Sequence, residues 1–548
     1  MQLSNQKTRN ELGFNYVVNS INVITPYGRK RLKSISPFKP GGEDSLLAEL
    51  SRLEKTLDLV NKELNTIDLL LEIFMEIKDN SYTIKRSGEN VLTVVELYEI
   101  KTLLLQMKGI KELLEPIADE LPKEFVLQDS TDLLDVLDPA KQRINTFYLY
   151  DEFSEKLKLL REQKREKELA IRKIKRVLKG KVESTYNISM TPKFEYVVSK
   201  SDKELMEKAS SIAQLTLSEE DYITATFTLK NDDQVYELQK DIEELNLQIE
   251  EEEFSVRESL SKKIGDKRDL LDANCSIIGE LDFNIAKALY AKKHKCTKPE
   301  ICTEHILEIE DGRQLELEDI LTKKGKEYCP VSIDLYDGVT CITGANMGGK
   351  TVTLKMVGLC AMLAQYGFFV PCRSAKIGLS SYMHILIGDT QNIQRGLSSF
   401  GSEMEELKEI LDRSKSRSLL LIDEIASGTN PLEGLALTKS LVKYLSDKPY
   451  ISLITTHYDN VAALDNVRNM QVRGLADADF NKLAREIRYA NRIERIEIIG
   501  KYMDYRIYEV KKEKKIPKDA INIAKMLGIY QEIIEQAKKF MEDREYEE

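Results

Sequence analysis

From Leu46 onward, apolar residues recur at Leu50, Leu53, Leu57, Val60 and Leu64, steps of three and four that line one face of a helix. Helical text continues to about Leu137. Before it, from Leu12 to about Pro40, proline and glycine punctuate short helices. Between Glu155 and Lys181 a charged helix carries twelve Lys/Arg against four Glu. The pattern then changes to alternation in Phe194-Glu-Tyr-Val-Val198 and Ile223-Thr-Ala-Thr-Phe-Thr-Leu229, which predicts a few strands between about Lys193 and Lys230. From Asp232 to about Lys293 no proline intervenes. Val235, Leu238, Ile242, Leu245 and Ile249 keep the step of a coiled-coil seam there, predicting one long, lever-like helix.

In the last half of the chain the apolar runs shorten to strand length and end in chemistry. An apolar strand leads into Ile342-Thr-Gly-Ala-Asn-Met-Gly-Gly-Lys-Thr351, and a helical pattern follows from Val352. This is G-x-x-x-x-G-K-T, a loop whose backbone N–H groups from Gly344 through Ala345, Asn346, Met347, Gly348 and Gly349 can close around phosphates. Lys350 supplies a point charge and Thr351 an oxygen for Mg²⁺. A second strand, Ser418-Leu-Leu-Leu-Ile-Asp-Glu424, ends in two carboxylates. Asp423 is placed to hold Mg²⁺ and Glu424 to orient an attacking water, the division that phosphoryl transfer requires. A third, Ile451-Ser-Leu-Ile-Thr-Thr-His457, ends in one of only four histidines, a candidate sensor of the γ-phosphate.

These motifs resemble the ATPase domain of the MutS family, a branch of the ABC-type ATPases. Gly344-Ala-Asn-Met-Gly-Gly-Lys-Thr351 is similar to the family's G-P-N-M-G-G-K-[ST], with Ala345 in place of Pro. Ser398-Ser-Phe-Gly-Ser-Glu-Met404 resembles its signature S-T-F-x-x-E-M, which implies that Ser398 acts in trans on the nucleotide of a second subunit. Asp423-Glu-Ile-Ala-Ser-Gly-Thr-Asn-Pro-Leu-Glu-Gly434 resembles D-E-[LI]-x-x-G-T-x-x-x-[DE]-G, and Thr455-Thr-His-Tyr458 the T-T-H-[FY] switch. Outside the ATPase motifs, Thr25-Pro-Tyr-Gly-Arg-Lys-Arg-Leu32 looks like the opening of the MutS core domain. Glu280-Leu-Asp-Phe-Asn-Ile-Ala-Lys-Ala-Leu-Tyr290 looks like the segment leading from its levers into the ATPase. The closing Ala520-to-Lys538 stretch resembles the family's last helices, with Tyr530 where a proline is usual.

Composition narrows the picture. At 548 residues the chain exceeds one ordinary core, and 32 % charged residues with 7 % aromatics and no Trp favour long solvated helices. The net charge of −11 argues against a constitutively basic nucleic-acid binder, although the Glu155–Lys181 segment is locally basic. The N-terminus has no apolar signal region and no apolar run approaches the length of a membrane span, so a soluble cytoplasmic protein is expected. Seven cysteines without a C-x-x-C pair imply reduced thiols rather than a disulfide framework. His294, Cys296, Cys302 and His305 give H-x-C-x₅-C-x₂-H, four candidate zinc ligands whose spacing matches no common finger. Cys302 to Leu307 also reads as the strand that opens the ATPase domain.

The fold class expected is an α/β P-loop ABC-type ATPase domain over 299–548. It is preceded by a helical core over 1–150 and lever-like long helices with a small strand segment over 151–298. The resemblance implies ATP and Mg²⁺ and a homodimer through the ATPase domains. The chain begins at the core domain, without the family's mismatch-reading module, and ends before any Smr-type nuclease, so no mismatch specificity is expected. Two clients stay open: DNA, gripped by a dimeric clamp, or a protein, as for short relatives associated with adenosylcobalamin-dependent aminomutases. No membrane partner is expected, and the sequence does not say which residues touch the adenine.

Overall fold

In the computed structural model, residues 2–344, 349–388, 399–458, 461, 464–475, 478–487, 491–510 and 520–545 are described. The chain forms two compact units. One comprises Met1–Met75, Ile117–Val126 and Ile278–Glu548, the other Glu76–Pro116 and Leu127–Ile277. Among the described residues no helix is long and apolar enough to cross a membrane.

The unit containing Glu76–Pro116 is mainly helical. Helix Val94–Leu114 opens on a capping box: the Thr93 hydroxyl accepts the Glu96 N–H, and the Glu96 carboxylate accepts the Thr93 N–H. Helices Glu155–Tyr186 and Asp233–Gly265 pack along each other. Arg161–Glu253 at 2.8 Å, Lys167–Asp241 at 2.7 Å and Lys156–Glu252 at 2.9 Å stitch them together. Strands β1 (Glu195–Ser199), β2 (Leu215–Glu220) and β3 (Thr224–Leu229) make an antiparallel sheet in the order β1-β3-β2. Alternate residues Ala225, Phe227 and Leu229 point into a small core with Val198 and Ile212. In the β2–β3 turn Asp221 accepts the N–H groups of Ile223 and Thr224, leaving Tyr222 and Ile223 exposed.

The single helix expected from Asp232 to Lys293 is two, Asp233–Gly265 and Arg268–Lys293. At the break two backbones nearly touch, since a Cβ on Gly265 would lie 2.5 Å from the Gly88 Cα. The N–H groups of Asp266 and Lys267 turn back to the carbonyls of Lys262 and Ile264. A proline-free apolar seam carries no mark of such an approach.

The other unit holds strands β4 (Glu300–Cys302), β5 (Ile306–Gly312), β6 (Val331–Tyr336), β7 (Gly338–Thr343), β8 (Ser374–Gly378), β9 (Tyr382–Ile387), β10 (Ser418–Asp423), β11 (Tyr450–Thr455), β12 (Val467–Gly474) and β13 (Asp504–Glu509). Among the described residues β13-β12-β7-β11-β10-β9 form one sheet, parallel from β12 to β9 with β13 antiparallel at the edge. β4-β8-β5-β6 form another. Every residue of β10 and β11 is buried, which is why both read as continuous apolar runs. Helix Lys350–Gln365 packs on this sheet with Gly358 at the contact, where a Cβ would meet Leu12 at 2.3 Å and Leu421 at 2.7 Å. The first residues of the chain therefore complete the core: Leu3, Leu12, Phe14 and Val17 are buried with Leu354 and Val357, and the Met383 N–H donates to the Leu3 carbonyl at 2.8 Å.

The strand expected from Cys302 to Leu307 is interrupted between β4 and β5. His305 turns inward there, its ring 2.6 Å from Asp337 and 3.2 Å from Ser380, and burial lowers its pKa. The four candidate zinc ligands go to separate partners. His294 lies against the Tyr290 ring, Cys296 is buried, and the Cys302 thiol reaches the Glu304 carbonyl at 3.5 Å. Among the described residues no group of three or more His, Cys, Asp and Glu is placed to hold a metal.

Two buried carboxylates tie the first helices to Arg268–Lys293. Asp282 accepts the Thr25 N–H at 2.6 Å and its hydroxyl at 2.7 Å, and Gly28 leaves the space, since a Cβ there would lie 2.3 Å from the Asp282 carboxylate. Lys287 donates to Glu49 and, at 3.3 Å, to the Gly367 carbonyl. Burial opposes charge on both members of that pair. For Glu49 burial is the largest single influence, yet Lys287 together with Arg52 and Arg31 outweighs it and holds the carboxyl below its ordinary pKa, whereas for Lys287 desolvation prevails and lowers it. Lys287→Met alone is expected to destabilise this unit by about 1–3 kcal/mol, because it leaves one buried Glu49 oxygen without its donor while Arg52 still holds the other at 2.8 Å, and Glu49→Leu with Lys287→Met recovers most of that loss. Urea midpoints of the two variants check this, and a double variant no better than the single one would refute it. Because the folded Glu49 pKa is depressed, its contribution is present above the ordinary carboxylate range and is lost as pH falls through the folded value.

Candidate nucleotide site

β7, β10 and β11 are adjacent and parallel, so their C-terminal ends open on one edge of the sheet. Gly349, at φ +79°, caps helix Lys350–Gln365 with no side-chain hydrogen bond to its first turn. A Cβ there would sit 3.2 Å from the Tyr505 ring, so the position wants glycine for space as well as for φ.

Asp423 ends β10 buried. One carboxylate oxygen accepts the Thr351 hydroxyl at 2.6 Å, and the other accepts the hydroxyl of Thr455, the last residue of β11. A carboxylate and a hydroxyl at this distance are the hard oxygen donors that a Mg²⁺ ion takes. Lys350 is 3 % exposed; its ammonium donates to the Gly344 carbonyl at 2.9 Å and pairs with Glu424 at 3.0 Å.

Just beyond β10 the backbone is strained. Glu424 and Ala426 have φ +46° and +59°, a left-handed conformation that costs a residue with a Cβ roughly 1–2 kcal/mol. Hydrogen bonds hold it. The Glu424 N–H donates to the Thr455 carbonyl and hydroxyl, both at 3.1 Å, and the Ala426 N–H to the Glu403 carboxylate at 3.3 Å. Past β11 the Thr456 N–H donates to the Ile342 carbonyl at 3.1 Å, tying the segment before His457 to the strand before the glycine loop.

Beside the helix N-terminus opens a cavity of about 830 Å³, walled by Gly349–Thr353 on one side and by Leu317, Tyr328, Val331, Met503 and Tyr505 on the others. Burial raises the pKa of both tyrosines, so both present neutral rings.

Residues 340–545 match the family model described as MutS domain V. Endonuclease MutS2 of Caldanaerobacter subterraneus subsp. tengcongensis is 27 % identical over 98 % of this chain and 64 % of its own length. DNA mismatch repair protein MutS of Aquifex pyrophilus is 26 % identical over 96 % of this chain and 59 % of its own length. A MutS domain V thus lies over residues 340–545, and similarity to MutS2 and MutS relatives runs along nearly the whole chain. The chain spans about six tenths of the length of these two relatives. Endonuclease MutS2 of Bacillus cytotoxicus is 34 % identical over 46 % of the chain and 31 % of its own length.

Of the residues expected to build the site, Gly344, Gly349, Lys350, Thr351, Asp423, Glu424 and His457 lie within the described residues; Thr351 bonds Asp423, Lys350 pairs with Glu424, and Thr455 joins the two pairs into one cluster. Ala345, Asn346, Met347, Gly348 and Ser398 lie outside the described residues. His457 is exposed and lies against the Tyr458 ring at 4.3 Å; among the described residues no hydrogen bond links it to that cluster. Reading the motifs did not find Thr455, Glu403, Tyr328 or Tyr505. Thr455 and Glu403 stand inside the quoted T-T-H-[FY] and S-T-F-x-x-E-M runs, so a signal existed without a role attached. No periodicity or spacing marks the two tyrosines, which belong to different strands and loops.

Proposed function

We propose that this protein is a Mg²⁺-dependent ATPase with a P-loop ABC-type head, and that nucleotide binding closes a dimeric clamp on a client. The observation that carries the proposal is the pair of hydrogen bonds converging on Asp423 from Thr351 and Thr455, beside the Lys350–Glu424 ion pair. It gathers the four groups that phosphoryl transfer divides its work among. Thr351 and Asp423 would hold Mg²⁺, which when bound neutralises charge on the phosphates. Lys350 and the N–H groups at the helix N-terminus receive phosphate oxygens. Glu424 orients the attacking water, and His457 reads the γ-phosphate. The cavity between Tyr328 and Tyr505 has the size and aromatic walls to take the base.

The division 1–150 helical core, 151–298 levers and 299–548 ATPase is kept as part of this proposal, as are a homodimer through the ATPase domains and a cytoplasmic setting. DNA is the client favoured, on the family relationship and on a local surface. Of the basic residues in helix Glu155–Tyr186, Arg161, Lys167 and Lys156 pair with acidic neighbours, whereas Arg172, Lys173 and Arg176 are exposed without an ion pair among the described residues. Lys158, Arg165, Arg172 and Arg176 follow seven-, seven- and four-residue steps, which puts them on one helical face. A protein client is the second reading, supported by the exposed Tyr222 and Ile223 of the β2–β3 turn and by Leu247 and Phe254, also exposed.

Lys350→Ala is expected to abolish tight ATP binding, and Glu424→Gln to keep binding while losing turnover by 100-fold or more, on the order of the loss when a preorganised group is removed. A Glu424→Gln protein that hydrolyses ATP at the wild-type rate would exclude this assignment. If Ser398 acts in trans, mixing Lys350→Ala and Ser398→Arg subunits leaves one site with both lesions and one with neither, and partial activity returns. Heterodimers that form yet stay inactive count against shared sites. Binding to DNA should weaken with salt, log affinity falling by about 0.9 per phosphate neutralised for each unit of log salt, and should not distinguish matched from mismatched duplex. Glu at Arg172, Lys173, Lys175 and Arg176 together should remove DNA binding and leave basal ATPase unchanged. A salt-insensitive interaction would favour the protein client, and strong mismatch preference would overturn the expectation that matched and mismatched duplexes bind alike.

A further inference from the structure

Glu403 stands out among the carboxylates near the site because both its oxygens face a backbone N–H of the loop after β10. It lies in helix Ser399–Arg413, whose position is set three residues further on. There Glu406 accepts from Lys7 at 2.8 Å through one oxygen, and its other oxygen lies 3.1 Å from the His384 ring, which is in turn 3.1 Å from the Tyr382 hydroxyl. That chain of polar contacts anchors the helix to β9 and to the helix Gln6–Glu11. Residues three apart share a helical face, so anchoring Glu406 also aims Glu403.

Both Glu403 oxygens lie 3.3 Å from the Ala426 nitrogen. Ala426 is two residues beyond Glu424, and both hold left-handed φ values that a side chain disfavours. The loop is closed on its other side as well. A Cβ on Gly434 would lie 2.7 Å from the Ala426 carbonyl, and the Thr438 hydroxyl, which donates to the Gly434 carbonyl at 2.7 Å, packs 3.4 Å from the Ile425 carbonyl. Among the described residues Glu403 pairs with no cation, and the Ala426 N–H is the donor its carboxyl accepts.

We propose that Glu403 is a positioning residue for Glu424: by accepting the Ala426 N–H it holds the loop after β10 in the left-handed conformation that points Glu424 at the phosphate-binding edge. The proposal rests on the reading of Glu424 as the residue that orients water. It assigns the glutamate of the S-T-F-x-x-E-M run a role within its own subunit, separate from any role of Ser398 in trans. Burial raises the Glu403 pKa, and an acceptor oxygen survives in either protonation state.

The test separates acceptor, charge and reach. Glu403→Gln keeps an acceptor oxygen at the same distance and is expected to retain kcat within about twofold. Glu403→Met fills the same space without an acceptor, and Glu403→Asp keeps the charge but falls short. Both are expected to lower kcat roughly 10- to 100-fold, the scale of a catalytic group misplaced by about an ångström. KM, and the affinity for a fluorescent ATP analogue, should stay within about twofold in all three, which also reports that the head is folded. Wild-type kcat in Glu403→Met, or Glu403→Gln as impaired as Glu403→Met, overturns the proposal, as does a loss confined to KM. Glu424→Gln is measured beside them. If it turns over at the wild-type rate, the role of Glu424 has failed, whereas a dead Glu424→Gln with an active Glu403→Met sinks only the positioning role.

Discussion

The candidate nucleotide site depends on the two hydroxyls that meet at Asp423. A carboxylate buried at the end of a central strand must be fully hydrogen-bonded or it becomes costly. Thr351 and Thr455 meet that demand from two other elements, the helix that follows the glycine loop and the strand beside β10. Satisfying one buried acceptor thereby fixes the mutual position of the helix after the glycine loop, the strand that carries the acidic pair and the strand that leads to His457. Removing either hydroxyl leaves a buried carboxylate oxygen short of a donor, a penalty of about 1–3 kcal/mol placed where the geometry matters most.

From that junction the constraint spreads along the backbone. Thr455 also accepts the Glu424 N–H, so the residue that supports Asp423 supports its neighbour as well. The left-handed turn at 424 and 426 is strain that isolated chain would not keep, and it persists because Thr455 and Glu403 each hold one of its peptide groups. Lys350 faces Glu424 across this turn, and the ion pair links the glycine loop to the same cluster.

The start of the chain is part of the same unit. Leu12 presses on Gly358 in the helix after the glycine loop, and Lys7 reaches Glu406 in the helix after the signature run. Thr25 with Asp282, and Glu49 with Lys287, add two buried polar anchors between segments more than two hundred residues apart. Such anchors contribute little net stability when intact but penalise alternative packings, because each leaves a charge or hydroxyl unpaired when broken.

Local order was legible wherever a short segment carried its own chemistry. The glycine loop, the apolar strand ending in Asp423 and Glu424, the alternation of β3 and the periodicity of the long helices depend on backbone propensities and side-chain period, and the chain states those directly. The run from Thr25 to Leu32 and the run from Glu280 to Tyr290 were each recognisable, yet nothing in either says that Gly28 is glycine to make room for Asp282. The break at Gly265, the inward turn of His305 that parts β4 from β5, and the scattering of four candidate zinc ligands were decided by backbone approach and by partners distant in sequence. The same is true of the cavity walled by Tyr328 and Tyr505 and of the Glu403 contact with Ala426. The sequence alone determined which chemistry the chain carries; only the tertiary structure decided which buried polar groups meet, because hydrogen-bond satisfaction in a packed interior is settled by distance in space and leaves no period along the chain.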